Sequence, residues 1–295
     1  MKNIFVAGSG LMGSGIAQTA AAAGYSVTLY DVSGEALKRA MDSISWSLDK
    51  RISKGKMTAE EKEQLLSNLA FSGDLDRVSD ADLVIEAVYE KEDVKKAVIS
   101  QIAERVPEGA IITSNTSSIS ITELSRSCKD PRAFMGTHFF APVPAMKLLE
   151  LVKTPATSQE TIDKVRAFGE SIGKRCIISK DRPAFIVNRM LDPMINEAIS
   201  LVESGTGTIE DIDNGMKYGL NHPMGPLELI DMSGIDIELA VMEVLYAETG
   251  DPKYRPSQLL RDMVRLNWLG RKTGKGFYIY NEDGTRTPNR ALEKY

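Results

Sequence analysis

The segment Gly8-Ser9-Gly10-Leu11-Met12-Gly13 constrains the fold more than any other stretch of the chain. It follows a short apolar run, Ile4 to Ala7, and leads into Met12 to Ala23, which is rich in alanine. A β-branched run, Val27 to Tyr30, comes next and ends at Asp31, 18 positions after Gly13. Strand, glycine turn, helix and a second strand closing on a carboxylate make a βαβ beginning of the dinucleotide-binding kind. Gly8 permits the tight turn out of the strand, Gly10 lets the backbone approach a pyrophosphate, and Gly13 lets the helix pack closely on the strand. The helix N-terminus then turns amide hydrogens and a positive dipole end toward the diphosphate. Gly8, Gly10, Leu11, Met12 and Gly13 are thus the expected cofactor loop. Asp31 is placed to accept hydrogen bonds from the adenine-ribose hydroxyls and would repel a 2′-phosphate. Lys38 and Arg39 fall well inside the next helical stretch, so NAD(H) is expected over NADP(H).

The alternation continues. Ser33 to Ser53 and Thr58 to Leu69 read as helices, the second with Thr58 and Glu61 at capping-box spacing. Leu83 to Ile85 reads as a buried strand, Glu92 to Val106 as a helix, and Ala110 to Thr113 as another strand. Further strand runs lie around Phe134 to Phe139, Leu148 to Val152 and Cys176 to Ile178. Short apolar runs separated by helical patterns predict an α/β, Rossmann-like, doubly wound parallel sheet. After Pro183 the texture changes: Phe185 to Val202 is a continuous helical pattern, and strand signals nearly vanish until Phe277 to Tyr280. The expected division is an α/β domain over 1–183 and an all-α domain over 184–295.

At 295 residues the chain is long enough for two domains. A net charge of −5 argues against whole-molecule attraction to nucleic acid or an anionic membrane. No run approaches the roughly 18 apolar residues of a membrane span, and the apolar N-terminal stretch is broken by Gly8, Ser9 and Gly10, so a cytoplasmic protein is expected. Cys128 and Cys176 lack metal-ligand spacing and read as ordinary thiols in a reducing compartment. With only two histidines, no metal site is expected.

Several spaced segments carry a family likeness. They are Ser114-Asn115-Thr116-Ser117-Ser118, then Gly136-Thr137-His138-Phe139-Phe140-Ala141-Pro142-Val143-Pro144, then Glu150-Leu151-Val152. Asp181-Arg182-Pro183-Ala184-Phe185-Ile186-Val187-Asn188-Arg189, Met224-Gly225-Pro226 and Thr273-Gly274-Lys275-Gly276-Phe277-Tyr278 follow in order. Together they resemble the L-3-hydroxyacyl-CoA dehydrogenase family over the whole chain, and within it the short, stand-alone bacterial 3-hydroxybutyryl-CoA dehydrogenases. The resemblance implies that His138 exchanges a proton with the substrate hydroxyl, that Glu150 orients it, and that Ser117 and Asn188 meet the reacting oxygen. It also implies that Glu90, Lys95 and Asn115 line the nicotinamide side of the cofactor, that Ser47 and Lys54 contact the CoA moiety, and that the helical domain pairs two subunits.

The chemistry fits these residue types. Imidazole titrates near neutrality, and a carboxylate on one ring nitrogen fixes the tautomer and stabilises the imidazolium. Ser47, Lys50, Arg51 and Lys54 recur at helical spacing and would form a basic face for the phosphates of an acyl-CoA; a solvated helix face has the same spacing. Two other readings remain open at this point. One is a dehydrogenase of a free 3-hydroxy acid or sugar acid, and the other a non-catalytic NAD-binding protein.

Overall fold

The computed structural model describes residues 1–294. The chain divides into two compact units, the first Met1–Arg182 and the second beginning at Pro183. The first unit holds an eight-stranded sheet in the order β3-β2-β1-β4-β5-β6-β7-β8. Its strands are β1 (Asn3–Ala7), β2 (Ser26–Tyr30), β3 (Leu69–Ser72), β4 (Leu83–Glu86), β5 (Ile111–Ser114), β6 (Phe134–Phe139), β7 (Leu148–Lys153) and β8 (Arg175–Lys180). The helices are α1 (Leu11–Ala22), α2 (Gly34–Ser53), α3 (Ala59–Ser67), α4 (Glu92–Arg105), α5 (Ile121–Ser125) and α6 (Gln159–Ser171). Strands β1 to β6 are parallel and pair through runs such as Ile4-Phe5-Val6-Ala7 and Leu83-Val84-Ile85, buried on both faces. Ile16, Ala17, Ala20 and Ala21 of α1 pack into the same core as Val6, Leu29 and Ile85. The alanines let that helix lie close to the sheet.

The sheet departs from the sequence reading in two places. It is not parallel throughout: β7 runs antiparallel to β6, and β8 is parallel to β7. The reason is the connection. Residues 140–147 join β6 to β7 without a crossover helix, and a parallel neighbour needs such a crossover. The second departure is β3. Leu69-Ala70-Phe71-Ser72 is too short and too weakly alternating to read as a strand, and it forms because β2 offers an open edge. The capping box at Thr58 is present, with the Thr58 amide donating to Glu61 and the Glu61 amide to Thr58 Oγ1.

The second unit contains α7 (Val187–Glu203), α8 (Ile209–Asn214), α9 (Pro226–Ser233), α10 (Ile235–Thr249) and α11 (Gln258–Arg265) around a core that includes Ile199, Ile230, Leu260 and Phe277. It also carries a small antiparallel pair, β9 (Tyr278–Tyr280) and β10 (Arg286–Pro288). Helix α7 begins later than the periodicity of Phe185 to Val202 suggests, because Ala184 and Phe185 adopt φ values of 58° and 52°. Two buried aspartates organise this unit. Asp213 accepts from the amides of Leu227 and Glu228 at the start of α9 and from the Tyr278 hydroxyl. Asp231 accepts from the amides of Phe277 and Tyr278 and from the Tyr280 hydroxyl, which ties α9 to β9. A Cβ on Gly276 would lie 2.0 Å from Asp231 Oδ1, so the glycine there serves this close approach. No helix among the described residues is long and apolar enough to cross a membrane.

Asp192 on α7 and Glu238 on α10 are a different case. Both are buried, and Asp192 Oδ2 and Glu238 Oε1 lack hydrogen-bond partners. Burial pushes Asp192 up to about 7. Burial and the neighbouring Asp192 charge push Glu238 well above the usual carboxylate range. A carboxyl whose pKa is raised on folding contributes stability that is full near pH 4 and is lost as pH rises through its folded value. Stability is therefore expected to fall from about pH 4 upward, most steeply between about pH 5 and 6, where Asp192 is ionised in the unfolded chain and still protonated in the folded one, and its contribution is lost once pH passes about 7. The Asp192→Asn variant should be more stable than the parent at pH 8 by on the order of 1–4 kcal/mol and nearly equal to it at pH 4.5. Urea unfolding at the two pH values measures the difference, and equal curves at pH 8 would contradict it.

Candidate active site

A cleft of about 1010 Å3 opens in the first unit where β1 and β4 lie side by side and the connections diverge to opposite flanks of the sheet. Gly8, Ser9, Gly10, Leu11 and Met12 line it, as does Asp31. Gly8 has φ 102°, and a Cβ on Gly13 would lie 1.8 Å from the Gly8 carbonyl oxygen, so both glycines are required by the protein's own packing. Gly10 is different: a Cβ there meets nothing within 4 Å, and the space it leaves faces open cleft. No side chain caps α1, so the first-turn amides of Leu11, Met12 and Gly13 remain available to an anion. Asp31 Oδ2 accepts from the Ser9 amide and hydroxyl, both at 2.9 Å, and Oδ1 accepts from the Ser33 amide at 3.0 Å. Four acceptor positions on a carboxylate leave room for a ribose hydroxyl as well. Glycine loop, uncapped helix and carboxylate fit NAD.

The β6–β7 reversal brings the other predicted pair together. His138 and Glu150 are direct register partners, and His138 Nδ1 lies 3.0 Å from Glu150 Oε2. Glu150 is fully buried and His138 is 6% exposed, so water does not compete for the contact. His138 lies within β6, one residue before its end. The Phe140 ring packs against the imidazole with centroids 4.5 Å apart. Asn115, expected beside the cofactor, accepts through Oδ1 from the Phe139 amide at 2.9 Å and so fixes the end of the strand that carries His138.

A chain of buried charges sets the neighbouring loop. Glu86 ends β4, fully buried. It accepts from the Val88 amide and Lys95 Nζ, both at 2.7 Å, and from Ser114 Oγ at 2.5 Å. The Lys95 ammonium also reaches Glu90 at 3.1 Å and the Val88 carbonyl at 3.2 Å. Its three donors are thereby engaged by Glu86, Glu90 and the Val88 carbonyl. Glu90 in turn accepts from Thr116 Oγ1, the Ser117 amide at 3.0 Å and Ser118 Oγ at 3.3 Å. Burial opposes ionisation of Glu90, but the Lys95 charge and the hydrogen bonds from Thr116 and Ser117 hold it below the usual carboxylate range. Ser117 has no capping duty, since Ser120 accepts from the Glu123 amide at the start of α5. Asn188 lies in the first turn of α7 in the second unit.

On α2, one helical face supplies the cleft wall: Ala36, Arg39, Ala40, Ser43, Trp46 and Ser47. Lys50 and Lys54 continue the line beyond it, both exposed, with the Lys50 ammonium 4.7 Å from the Trp46 ring centroid. Sequence reasoning set Arg39 aside as too far along the helix and missed Trp46. The spacing of both with Ser43 and Ser47 was the available signal. It missed Glu86 as well, whose signal was a charge closing an apolar strand. Cys128 and Cys176 are free, and burial pushes their thiols up to about 12 and about 11. No three potential metal ligands converge among the described residues.

A glycine-loop cleft on a doubly wound sheet, followed in the chain by a helical unit, defines a nicotinamide-dependent dehydrogenase. Residues 3–182 match the family described as 3-hydroxyacyl-CoA dehydrogenase, NAD binding domain, and residues 185–280 match its C-terminal domain. The chain is 46% identical over 280 residues to a 3-hydroxybutyryl-CoA dehydrogenase of Bradyrhizobium diazoefficiens, covering 95% of this chain and 96% of that one. It is 45% identical to a probable 3-hydroxybutyryl-CoA dehydrogenase of Bacillus subtilis, covering 96% and 98%. The crystal structure of (S)-3-hydroxybutyryl-CoA dehydrogenase from Ralstonia eutropha superposes with a TM-score of 0.93 at 46% identity, covering 96% of this chain and all of that one. The chain belongs to the 3-hydroxyacyl-CoA dehydrogenase family. It is an oxidoreductase, and NAD is its cofactor.

Replacing Lys95 by Met would leave Glu86 buried without its cation. The expected cost is about 3–5 kcal/mol of stability, measured by denaturant unfolding. A loss below 1 kcal/mol would mean that Glu86 is not held by charge.

Proposed function

We propose that this chain interconverts an L-3-hydroxyacyl-CoA and its 3-ketoacyl-CoA, with a short acyl group such as that of 3-hydroxybutyryl-CoA, and that His138 is the general acid–base. The observation that carries this reading is the buried His138–Glu150 pair at 3.0 Å, in the same sheet as the dinucleotide cleft. Glu150 accepts a hydrogen bond from Nδ1–H, which directs Nε2 to the substrate. In oxidation Nε2 takes the proton of the 3-hydroxyl while the C3–H bond breaks and the C3–O double bond forms. NAD, when bound, supplies the hydride acceptor for this chemistry. In the reverse direction the imidazolium, stabilised by Glu150, returns its proton to the 3-keto oxygen. Ser117, fixed through its amide by Glu90, and Asn188, from the second unit, are assigned to the substrate oxygens. Ser47 in the cleft wall, with Lys50 and Lys54 beyond it, is assigned to the CoA phosphates. A homodimer through the helical unit is part of the proposal. Its support is the apolar surface left on α7 and α10, where Met190 is 72% and Ile237 55% exposed.

The His138→Asn variant should lose kcat by roughly a thousandfold while its NADH affinity stays within about twofold of the parent, measured by fluorescence titration. Near-normal kcat would remove the mechanism. Acetoacetyl-CoA should be reduced far better than free acetoacetate, and Lys54→Glu should raise KM for the former only. Equal kcat/KM for the two substrates would favour the free-acid reading.

A further inference from the structure

We propose that Lys174 is a positioning residue for this reaction: its buried ammonium clamps the loop 140–147, which forms one wall of the cofactor cleft. The proposal rests on the reading of the cleft given under Proposed function. Lys174 lies between α6 and β8 and is 7% exposed. Its Nζ donates to the Val143 carbonyl at 2.5 Å and to the Met146 carbonyl at 2.7 Å. Burial pushes its pKa down. An ammonium is costly to bury, and a methionine of similar length would fill the same space without that cost. What only the amine supplies is two donors aimed at two carbonyls of one loop. A neutral amine would still supply both, so the clamp persists if the group loses its proton.

The clamped loop matters because of what its other side touches. Pro142, Val143 and Pro144 line the same cleft as the glycine turn and the Ser47 face of α2. The Val143 side chain presses on α1, where a Cβ on Gly15 would lie 2.9 Å from Val143 Cβ. The loop is thus held between the helix that begins at the cofactor turn and the Lys174 amine. Its own turn, with the Ala145 and Met146 amides donating to the Pro142 carbonyl at 2.9 and 3.1 Å, keeps both clamped carbonyls on one side. His138 and Glu150 sit in the strands on either end of the loop and hold one another through the β6–β7 register. Loosening the loop should therefore change the width of the cleft and leave the acid–base pair in place.

The test compares the full-length parent with Lys174→Met and Lys174→Gln, using NADH and acetoacetyl-CoA. The expected result for Lys174→Met is KM raised at least fivefold for one or both substrates, kcat within twofold, and an unchanged pH profile of kcat. Lys174→Gln, which keeps one donor group, should fall between Met and the parent. Unchanged KM values in Lys174→Met with lowered thermal stability would make the lysine merely structural, and a loss confined to kcat would equally overturn the proposal. Hydrogen exchange gives a second reading: the Ala145 and Met146 amides, bonded within the loop's own turn, should exchange faster in Lys174→Met than in the parent, and equal exchange in the two proteins overturns the clamp. A parent enzyme inactive on acetoacetyl-CoA would instead overturn the functional reading, a result separable from both.

Discussion

The reversal of the sheet between β6 and β7 is the constraint on which the site depends. Had the chain crossed over to a parallel neighbour, as it does between the preceding strands, residues 138 and 150 would not be register partners. The antiparallel turn makes them direct neighbours, and the full burial of Glu150 protects their contact from water. The same turn produces the loop 140–147, so one topological choice supplies both the imidazole–carboxylate pair and a wall of the cleft.

Buried charge is handled in three ways within this molecule. Glu86 and Lys95 are paired and saturated with hydrogen bonds, and they transmit order outward through Glu90 to the amide of Ser117. Asp213 and Asp231 are buried without a cation but each collects three donors, which offsets much of the desolvation that pushes their pKa values up. Asp192 and Glu238 have buried oxygens with neither remedy. The first two arrangements rigidify their surroundings, and the third makes the helical unit the acid-favouring part of the protein.

Some of the expected site residues also hold other parts of the protein in place. Asn115 and Lys95 resemble cofactor-lining positions, yet Asn115 Oδ1 and all three Lys95 donors are spent within the protein. Asn115 fixes the end of β6 and Lys95 fixes Glu90. A sequence motif marks that a position matters and does not say whether its side chain meets a ligand or holds another side chain that does.

The sequence by itself determined the strand–turn–helix around Gly8 to Gly13, the acidic end of the second strand, the capping box at Thr58 and the change to helical texture after Pro183. These are local features, written in residue types a few positions apart, where sterics and hydrogen bonding within one turn decide the outcome. Tertiary structure alone decided the direction of β7, the existence of β3, the arrival of Arg39 and Trp46 at the cleft, and the clamp from Lys174 to a loop some thirty residues earlier. Each of those rests on contacts between segments far apart in the chain, and a lysine or a short apolar run reads the same whether or not a distant carbonyl or strand edge is there to receive it.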